Sequence, residues 1–401
     1  MKARFDQIER YGPWRIGWAR SEDRPRLQFG QHGLAWRTCQ HEQWGYGAAI
    51  EIQAEGPHRT RSIRAQASAA NLPGHVRWFG GLSFEEDAAD GWGDFGPARF
   101  FVPRWFWSGE SVRAIWREDE PVPEKPRFES SSARVRVSRI HRESADRYQS
   151  RVQAALRSLS RGRLRKVVLS RDTHVEGDFE PNALLVALGR DSTSSHELCF
   201  AFSFGGATYM GRTPELLVSA SGTEVRSEAL AGSSSLEEAD ALLHRPKDRA
   251  EHAHVVATVV EGLKRVGISI GWLPEPRVRR LRGIAHLWTP IRVHEDPPVP
   301  ILDLVDALHP TAATAGLPTG PARVLLRELE GRPRGWYCGA VGWFDGKNDG
   351  DFRVALRSAL VHPQRLHVSV GGGIVEGSEP RAEWEETLLK ERAILAAFGL
   401  A

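Results

Sequence analysis

Residues 198–220 read LCFAFSFGGATYMGRTPELLVSA. Two apolar runs, Leu198 to Phe204 and Tyr209 to Ala220, flank the pair Gly205-Gly206. Apolar runs joined by glycine are typical of paired β-strands. Similar strand patterns alternate with long helical patterns through the second half of the chain. This alternation predicts an α+β fold, a layered α/β sandwich of large, mainly antiparallel sheets flanked by helices, and not a doubly wound parallel sheet.

The elements around this hairpin follow from apolar spacing and from glycine and proline. Tyr148, Val152, Ala155 and Leu159 recur at helical spacing, and Gly162 follows as a stop signal. We therefore predict a helix over this stretch. The other predicted elements are helices at 181–189, at about 247–265 and from 380 onward, a strand at 166–171, and several strands between 335 and 373.

A stretch rich in proline, charge and serine divides the chain. Such composition within residues 119–139 predicts a linker or an exposed loop. Residues 1–118 are rich in glycine and aromatic side chains and are predicted to be a strand-rich N-terminal part of the fold. We expect the functional residues in the third part, 140–401.

The bulk composition is that of an ordinary globular protein, with 41% hydrophobic and 26% charged residues and a net charge of +3. No apolar run has the length of a membrane span, and no secretory signal is recognisable, so we expect a cytoplasmic protein without membrane contact. Three scattered cysteines fit a reducing compartment and give no zinc spacing. The arginine-rich stretch 277–282 lacks interleaved aromatics, so we interpret it as solvated and expect no nucleic-acid partner.

Two acidic pairs have helical spacing. Asp248 and Glu251 are three residues apart in one predicted helix, and Glu383 and Glu386 in another. Residues three apart share a helix face, so two such faces could offer carboxylate ligands to Mg²⁺. Lys390 lies on the same face as Glu386 and could hold a substrate anion. The alternative is a pair of solvated helix surfaces.

A lysine and a glutamate stand at the ends of predicted strands. Lys166 precedes the apolar residues Val167 to Leu169, where burial would favour a neutral amine able to act as a general base. Glu215 ends the turn sequence GRTPE, which places one carboxylate at the mouth of the next strand. The alternatives are an edge lysine whose amine reaches solvent and an ordinary polar turn residue.

Two runs of small residues could line an anion site. Consecutive glycines such as Gly371 to Gly373 let backbone N–H groups approach an anion closely. The run Ala229 to Ser233, interpreted as following a strand, could form a binding wall. The alternatives are a tight bend at a strand end and a packing feature.

Taken in order, the motifs resemble the chorismate-utilising enzymes, the family of anthranilate, aminodeoxychorismate, salicylate and isochorismate synthases. The resemblance covers about residues 140–400, and its specificity lies in the number and order of the motifs. The motifs are KVVLSR at 166–171, GRTPE at 211–215, ALAG at 229–232, KDRAEH at 247–252, His286-Leu287, LHPT at 308–311, YCGAVG at 337–342, RSA at 357–359 and GGGIVEGSEPRAEWEETLLK at 371–390.

The resemblance implies a role for each candidate and makes 140–401 a chorismate-binding catalytic region. Lys166 would activate water and Glu215 would protonate the departing hydroxyl. Glu251 and Glu386 would bind Mg²⁺ directly, and Asp248 and Glu383 would act through its waters. The resemblance implies that the substrate contacts are Gly232, Ser233, His286, Ala313, Tyr337, Arg357, Gly371, Gly373 and Lys390, with Tyr337 and Arg357 on the enolpyruvyl carboxylate.

Three positions indicate which member of the family the chain resembles. Aminodeoxychorismate-forming relatives carry a nucleophilic lysine where Ala231 stands, and ammonia-using relatives lack a charge at Lys166. The resemblance thus implies isochorismate synthase activity, and Ala313 favours it over salicylate synthase, the alternative, in which threonine is usual there. A catalytically inactive homologue is a further alternative. The resemblance implies a monomer without a glutaminase subunit, serving menaquinone or siderophore biosynthesis.

Overall fold

The computed structural model describes residues 5–20, 26–27, 31–126, 128, 135–190, 196–281 and 284–400. These ranges contain 20 strands and seven α-helices. The helices are α1 Arg59–Ala69, α2 Ala145–Leu159, α3 Pro181–Gly189, α4 Pro246–Arg265, α5 Ile301–Leu308, α6 Thr319–Glu330 and α7 Pro380–Ala397. The strands are β1 Gln7–Tyr11, β2 Trp14–Arg20, β3 Gly33–Arg37, β4 Glu42–Ala54, β5 Trp78–Leu82, β6 Ala98–Ser108, β7 Ser111–Arg117, β8 Arg136–Arg142, β9 Lys166–Asp178, β10 Leu198–Phe204, β11 Ala207–Thr213, β12 Leu216–Ser221, β13 Glu224–Ser234, β14 Arg277–Leu281, β15 Ile284–His294, β16 Gly316–Leu317, β17 Ala340–Phe344, β18 Gly350–Val354, β19 Ser358–His362 and β20 Arg365–Val375.

The strands pair antiparallel in two sheets that share β4 and β6. One sheet runs β1-β2-β7-β6-β4-β3-β10-β11-β19-β20-β9-β8, with β16 also on β9. The other runs β4-β6-β5-β17-β18-β12-β13-β15-β14. Large antiparallel sheets flanked by helices confirm the predicted fold class.

The change of sheet occurs in the middle of β6. Its first half, through Phe101, pairs with β5, and its second half, from Trp105, pairs with β7. Pro103 lies between the two halves, where β4 shifts register between Ala48 and Ile50. Proline donates no ladder hydrogen bond, so it suits this break in the pairing.

Aromatic side chains from both sheets form the core. Phe79 and Phe101 from one sheet and Phe202 and Tyr209 from the other are fully buried in a single cluster. Trp336 packs edge-on against Phe202 and Tyr209. Such edge-to-face contacts add to the area buried. The strands that carry the site are therefore anchored in a rigid interior.

Helices α4 and α7 lie next to the strands with the candidate residues. Helix α4 packs on β13, and α7 packs on β20 and α2. Proline stands at the first turn of both helices, where its missing N–H has no helical partner to lose. The starts of both helices, with their acidic pairs, are therefore well defined. None of the described helices combines the length and the apolar character needed to cross a bilayer.

Two local interpretations were wrong. The run 229–233 does not follow a strand but lies inside β13, and Gly371–Gly373 lie within β20 and not at a strand end. Runs of small residues carry little apolar periodicity, so the sequence pattern does not indicate that they lie within a strand.

The three-part division of the chain stays a prediction. β8 begins at Arg136, inside the stretch predicted as a linker, and β3 and β5 of the N-terminal part pair with β10 and β17.

Candidate active site

Lys166 stands at the first position of β9, buried between a strand and a helix. Its side chain is 11% exposed, and Nζ donates a hydrogen bond to Oε1 of Glu251 at 2.7 Å. A Cβ at Gly373 would lie 2.9 Å from the Lys166 Cε, so glycine there makes room for the lysine. The lysine is thus neither a solvent-facing edge residue nor part of the apolar core.

Glu215 lies in the connection between β11 and β12 and is 7% exposed. Burial, and secondarily the nearby charge of Glu228, raise the pKa of Glu215 to about 8, although Lys166 and Arg357 act in the opposite direction. The carboxyl group is therefore protonated through most of the neutral range. Lys166 and Arg357 are therefore near enough to Glu215 to influence its ionisation.

The two acidic pairs belong to neighbouring helix ends. Burial and the charge of Glu251 raise the pKa of Asp248. Burial also raises the pKa of Glu383. The charge of Glu386 raises this pKa further, and the charge of Lys247 on α4 lowers it. The neighbouring glycines Gly372 and Gly373 contact Glu383 and Lys166, and Lys166 pairs with Glu251, so both acidic faces lie beside the same segment of β20.

These acidic residues fit a hard divalent cation. Oε2 of Glu383 is buried and has no hydrogen-bond partner among the described residues. Burial and the neighbouring carboxylates raise the pKa values of Asp248 and Glu383, and a cation with oxygen preference would relieve the repulsion among these groups. Carboxylates alone are a donor set that suits Mg²⁺, Ca²⁺ or Mn²⁺.

The glycine segment of β20 faces the same place. β20 pairs with β9 along Gly371–Gly373, whereas its pairing with β19 ends at Val368. Lys390 contacts the edge of this segment that does not pair with β9. Its Nζ donates a hydrogen bond to the Gly371 carbonyl at 2.8 Å and lies 2.8 Å from Oε1 of Glu386. Two close contacts limit side-chain size here, because a Cβ at Gly371 would lie 3.3 Å from the Tyr337 hydroxyl and one at Gly372 would lie 3.1 Å from Glu383.

A bulge in β13 brings three further candidates together. The register with β15 shifts between Ala231 and Ser233, and Gly232 has a φ of 73°. A Cβ at Gly232 would also approach Asp248 to 3.3 Å, so glycine suits both the backbone and the packing. Ser233 Oγ is hydrogen-bonded to His286 Nδ1 at 2.9 Å. Burial and the charges of Arg357 and Lys390 lower the pKa of His286 to about 3, which keeps the ring neutral.

Arg357 is held in place by a buried glutamate. It adopts a left-handed φ of 49°, and its NH1 donates to Glu197 at 3.2 Å. The other oxygen of Glu197 lies 2.5 Å from Arg212. Arg357 therefore has further N–H donors that Glu197 does not engage. Tyr337 is buried, and burial raises the pKa of its phenol well above the usual value.

Two of the three positions that distinguish family members, Ala231 and Ala313, share one small cluster. Ala231, in β13, is buried with Ala229 and Val255, and Ala313 packs against the same group. A larger side chain at either position would therefore enter the region beside β13 and α4.

Three charged residues near the site were not predicted to be site residues. Glu197 and Arg279 are buried, and the side chain of Glu228 is 8% exposed. The interpretation of 277–282 as solvated was wrong for Arg279, which is 6% exposed and pairs with Glu228 at 2.8 Å. Arg282 lies outside the described residues. The sequence signal for such a residue is a charged side chain at a strand position that faces the interior.

Another group of possible metal ligands lies further along β9 and β20. Asp172, His174 and His367 place their donor atoms within 4.8 Å of one another. The Asp172 carboxylate already accepts a hydrogen bond from Ser369 and pairs with Arg332 at 2.6 Å and with His367 at 2.9 Å. Protein partners thus satisfy this aspartate, and we assign the group a structural role.

Comparison with known proteins agrees with this geometry. A family model described as chorismate binding enzyme matches residues 108–399. The salicylate biosynthesis isochorismate synthase of Pseudomonas aeruginosa is 36% identical over 295 residues, covering 71% of this chain and 61% of that protein. The isochorismate synthase MenF of Bacillus subtilis is 30% identical over 352 residues, covering 80% of this chain and 74% of that protein.

Solved structures share the fold. A putative 2,3-dihydroxybenzoate-specific isochorismate synthase from Bacillus anthracis superposes with a TM-score of 0.75 at 25% identity, covering 93% of this chain and 98% of that one. The menaquinone-specific isochorismate synthase of Escherichia coli gives a TM-score of 0.81 at 21% identity, covering 98% and 96%. The sequence matches and the assembled site lead to one conclusion: the chain belongs to the chorismate-binding enzyme family.

Proposed function

We propose that the protein is an isochorismate synthase, which converts chorismate to isochorismate by adding water at C2 and expelling the C4 hydroxyl. The observation that supports the proposal is the burial of two ionisable groups, the Lys166 amine at the start of β9 and the Glu215 carboxyl group, which are near enough to influence each other electrostatically. Lys166 supplies the amine, and burial raises the pKa of Glu215 to about 8. The names of the relatives support the same reaction.

The reaction needs one proton removed and one delivered. Lys166, in its neutral form, removes a proton from the water whose oxygen bonds to C2. Both ring double bonds shift by one position toward C4, the C4–O bond breaks, and Glu215 gives its proton to the departing hydroxide, which leaves as water. A base and an acid held by different environments are the usual arrangement for such an exchange. Proton transfer from Lys166 back to Glu215 through solvent restores both groups.

The remaining candidates bind and orient the substrate. Arg357 and Tyr337 hold the enolpyruvyl carboxylate, and the guanidinium offers two parallel N–H donors to it. His286 lies beside the ring as a neutral imidazole. Backbone groups of Gly232, Ser233, Gly371 and Gly373 line the substrate, Lys390 adds positive charge near them, and Ala313 bounds the pocket.

We assign the cation site to the acidic faces of α4 and α7. Glu251 and Glu386 would hold Mg²⁺ directly, and Asp248 and Glu383 through its waters. The bound cation would neutralise the ring carboxylate of chorismate. The raised pKa values of Asp248 and Glu383 and the unpartnered Glu383 oxygen support this assignment.

The test is incubation of the purified protein with chorismate and Mg²⁺, followed by separation of the products. Isochorismate alone supports the proposal. Salicylate with pyruvate would identify a salicylate synthase, and absence of turnover would identify an inactive homologue. All of Lys166, Glu215, Glu251, Glu386 and Arg357 are present, which favours an active enzyme.

We further propose a cytoplasmic monomer that works without a glutaminase subunit and serves menaquinone or siderophore biosynthesis. The water-activating lysine supports the absence of an ammonia-supplying partner. Product analysis in ammonium-containing buffer tests this point, because an amine-forming enzyme would yield an aminated product. Sedimentation of the purified protein tests the monomer.

A further inference from the structure

Glu228 of β13 makes four hydrogen bonds in the interior beside the site. Its two oxygens accept from NH1 and NH2 of Arg279, each at 2.8 Å. Oε2 also accepts from Trp288 Nε1 at 2.8 Å, and Oε1 from the backbone N–H of Leu216 at 3.0 Å. The side chain is 8% exposed. A buried bidentate pair with two further donors holds this carboxylate in one orientation.

The bond to Leu216 connects Glu228 to the backbone that carries Glu215. Leu216 directly follows Glu215 and begins β12, whose register with β18 shifts between Leu216 and Val218. At this irregular position the Leu216 N–H has a side-chain acceptor. Glu228 therefore fixes the point from which the Glu215 side chain projects.

Glu228 is also the negative charge that faces Glu215. Three basic groups from different elements act in the opposite direction: Arg279 of β14, Arg357 between β18 and β19, and Lys166 of β9 when it is protonated. Each cation favours ionisation of Glu215, whereas Glu228 disfavours it. The bidentate pair with Arg279 sets a cation and an anion side by side, and the anion has the larger effect on Glu215.

We propose that Glu228 is a positioning residue for the reaction: held by Arg279 and Trp288, it fixes the backbone at Glu215 and keeps a negative charge in one place near the Glu215 carboxyl group. This inference rests on the proposed function, in which Glu215 is the proton donor. No contact of Glu228 with the substrate is required.

The test follows the ionisation of Glu215 directly, in the full chain. Infrared difference spectra recorded across a pH titration show the C=O band of a protonated carboxyl group, and Glu215→Gln identifies the band. In Glu228→Gln the midpoint of this band is expected to move to lower pH by about one unit or more, because the opposing anion is lost. The alkaline limb of kcat/KM for chorismate should move in the same direction.

A second variant distinguishes the loss of the negative charge from a loss of structure. Glu228→Gln leaves Arg279 without a counter-ion, so Glu228→Gln combined with Arg279→Gln replaces the pair by two neutral amides. This double variant should shift the band less than the single one, in the same direction. Glu224→Gln is the matched control, because Glu224 lies on the same strand and pairs with Arg226 near the surface.

An unchanged Glu215 midpoint in both folded variants would overturn the proposal. So would an equal shift in the Glu224 control. The spectroscopic titration needs no turnover. If the wild-type protein fails to convert chorismate, the proposed function falls while the influence of Glu228 on Glu215 is still measured.

Discussion

Nζ of Lys166 on β9 lies 2.7 Å from Oε1 of Glu251 on α4. This ion pair connects the proposed base to a proposed cation ligand. The carboxylate has two oxygens, but a divalent cation and an ammonium group compete for its charge. The proposed base and the cation site are therefore parts of one electrostatic unit.

Replacing Lys166 by glutamine should abolish water addition. General bases typically contribute about 10²–10⁴-fold to rate, so kcat should fall by about that factor while KM changes little. Chromatographic measurement of isochorismate formation checks this. Lys264→Gln, at an exposed position of α4, is the control and should keep full activity. Full activity in Lys166→Gln would remove the lysine from the mechanism.

The pH dependence should show the proton of Glu215. Its pKa of about 8 means that kcat/KM should fall as pH rises through about 8, because the acid loses its proton. The folded state also binds this proton more tightly than the unfolded state, with its value of 4.5, so Glu215 makes the free energy of unfolding decrease between pH 4.5 and about 8. Comparing urea unfolding of wild type and Glu215→Gln across this range measures that contribution. Parallel curves would contradict it.

Mg²⁺ should stabilise the protein through the acidic faces. A ligand at about 100 times its Kd adds about 2.7 kcal/mol to the free energy of unfolding, so Mg²⁺ should raise Tm measurably. Glu251→Gln and Glu386→Gln should lose most of this increase. Glu385→Gln is a control on the same helix, since Glu385 pairs with Arg381. An undiminished increase in the first two variants would move the cation site elsewhere.

Arg357→Lys should weaken chorismate binding. Lysine keeps the charge but loses the planar pair of N–H donors, and charge-assisted hydrogen bonds contribute about 1.5–3 kcal/mol. We expect KM to rise by about 10- to 100-fold with a smaller change in kcat. Steady-state kinetics measure both constants. Arg365→Lys, at an exposed position at the start of β20, should leave them unchanged; an unaltered KM in Arg357→Lys would argue against the carboxylate contact.

The buried pair of Arg334 and Glu330 should be important for stability. Arg334 is 1% exposed, pairs with Glu330 at 2.6 Å and donates to the carbonyls of Thr314 and Val168. Removing one member of such a pair costs about 3–5 kcal/mol, so Arg334→Met should lower the urea midpoint sharply. Arg327→Met, exposed on α6, is the control. Similar midpoints for both variants would contradict this account.

Much of the fold was predictable because its signals are local. The predicted helix at 181–189 matches α3, and the helix expected at about 247–265 begins one residue earlier, at Pro246. Proline and glycine mark these ends chemically. The sharing of β4 and β6 between two sheets was not predictable, since strand partners far apart in sequence leave no periodic trace.

The site was predictable only in part. The order of motifs indicated candidate residues, but not the contacts between them. Glu228 and Arg279 illustrate the limit, because a charged residue in a strand looks the same whether it faces solvent or a buried partner. Which carboxylate Lys166 contacts depends on how α4 lies against β9, and no sequence pattern encodes that arrangement. The roles of the site residues stay predictions until the variants are measured.

The long-distance strand pairs have a consequence for synthesis on the ribosome. Phe79 of β5 pairs with Trp343 of β17, and Trp36 of β3 pairs with Phe200 of β10. Strands β3 and β5 therefore cannot complete their pairing until the segments that form β10 and β17 have been synthesised. During that interval their apolar faces and open edges are exposed. A nascent chain of this architecture is thus expected to depend on chaperones far more than its finished product does.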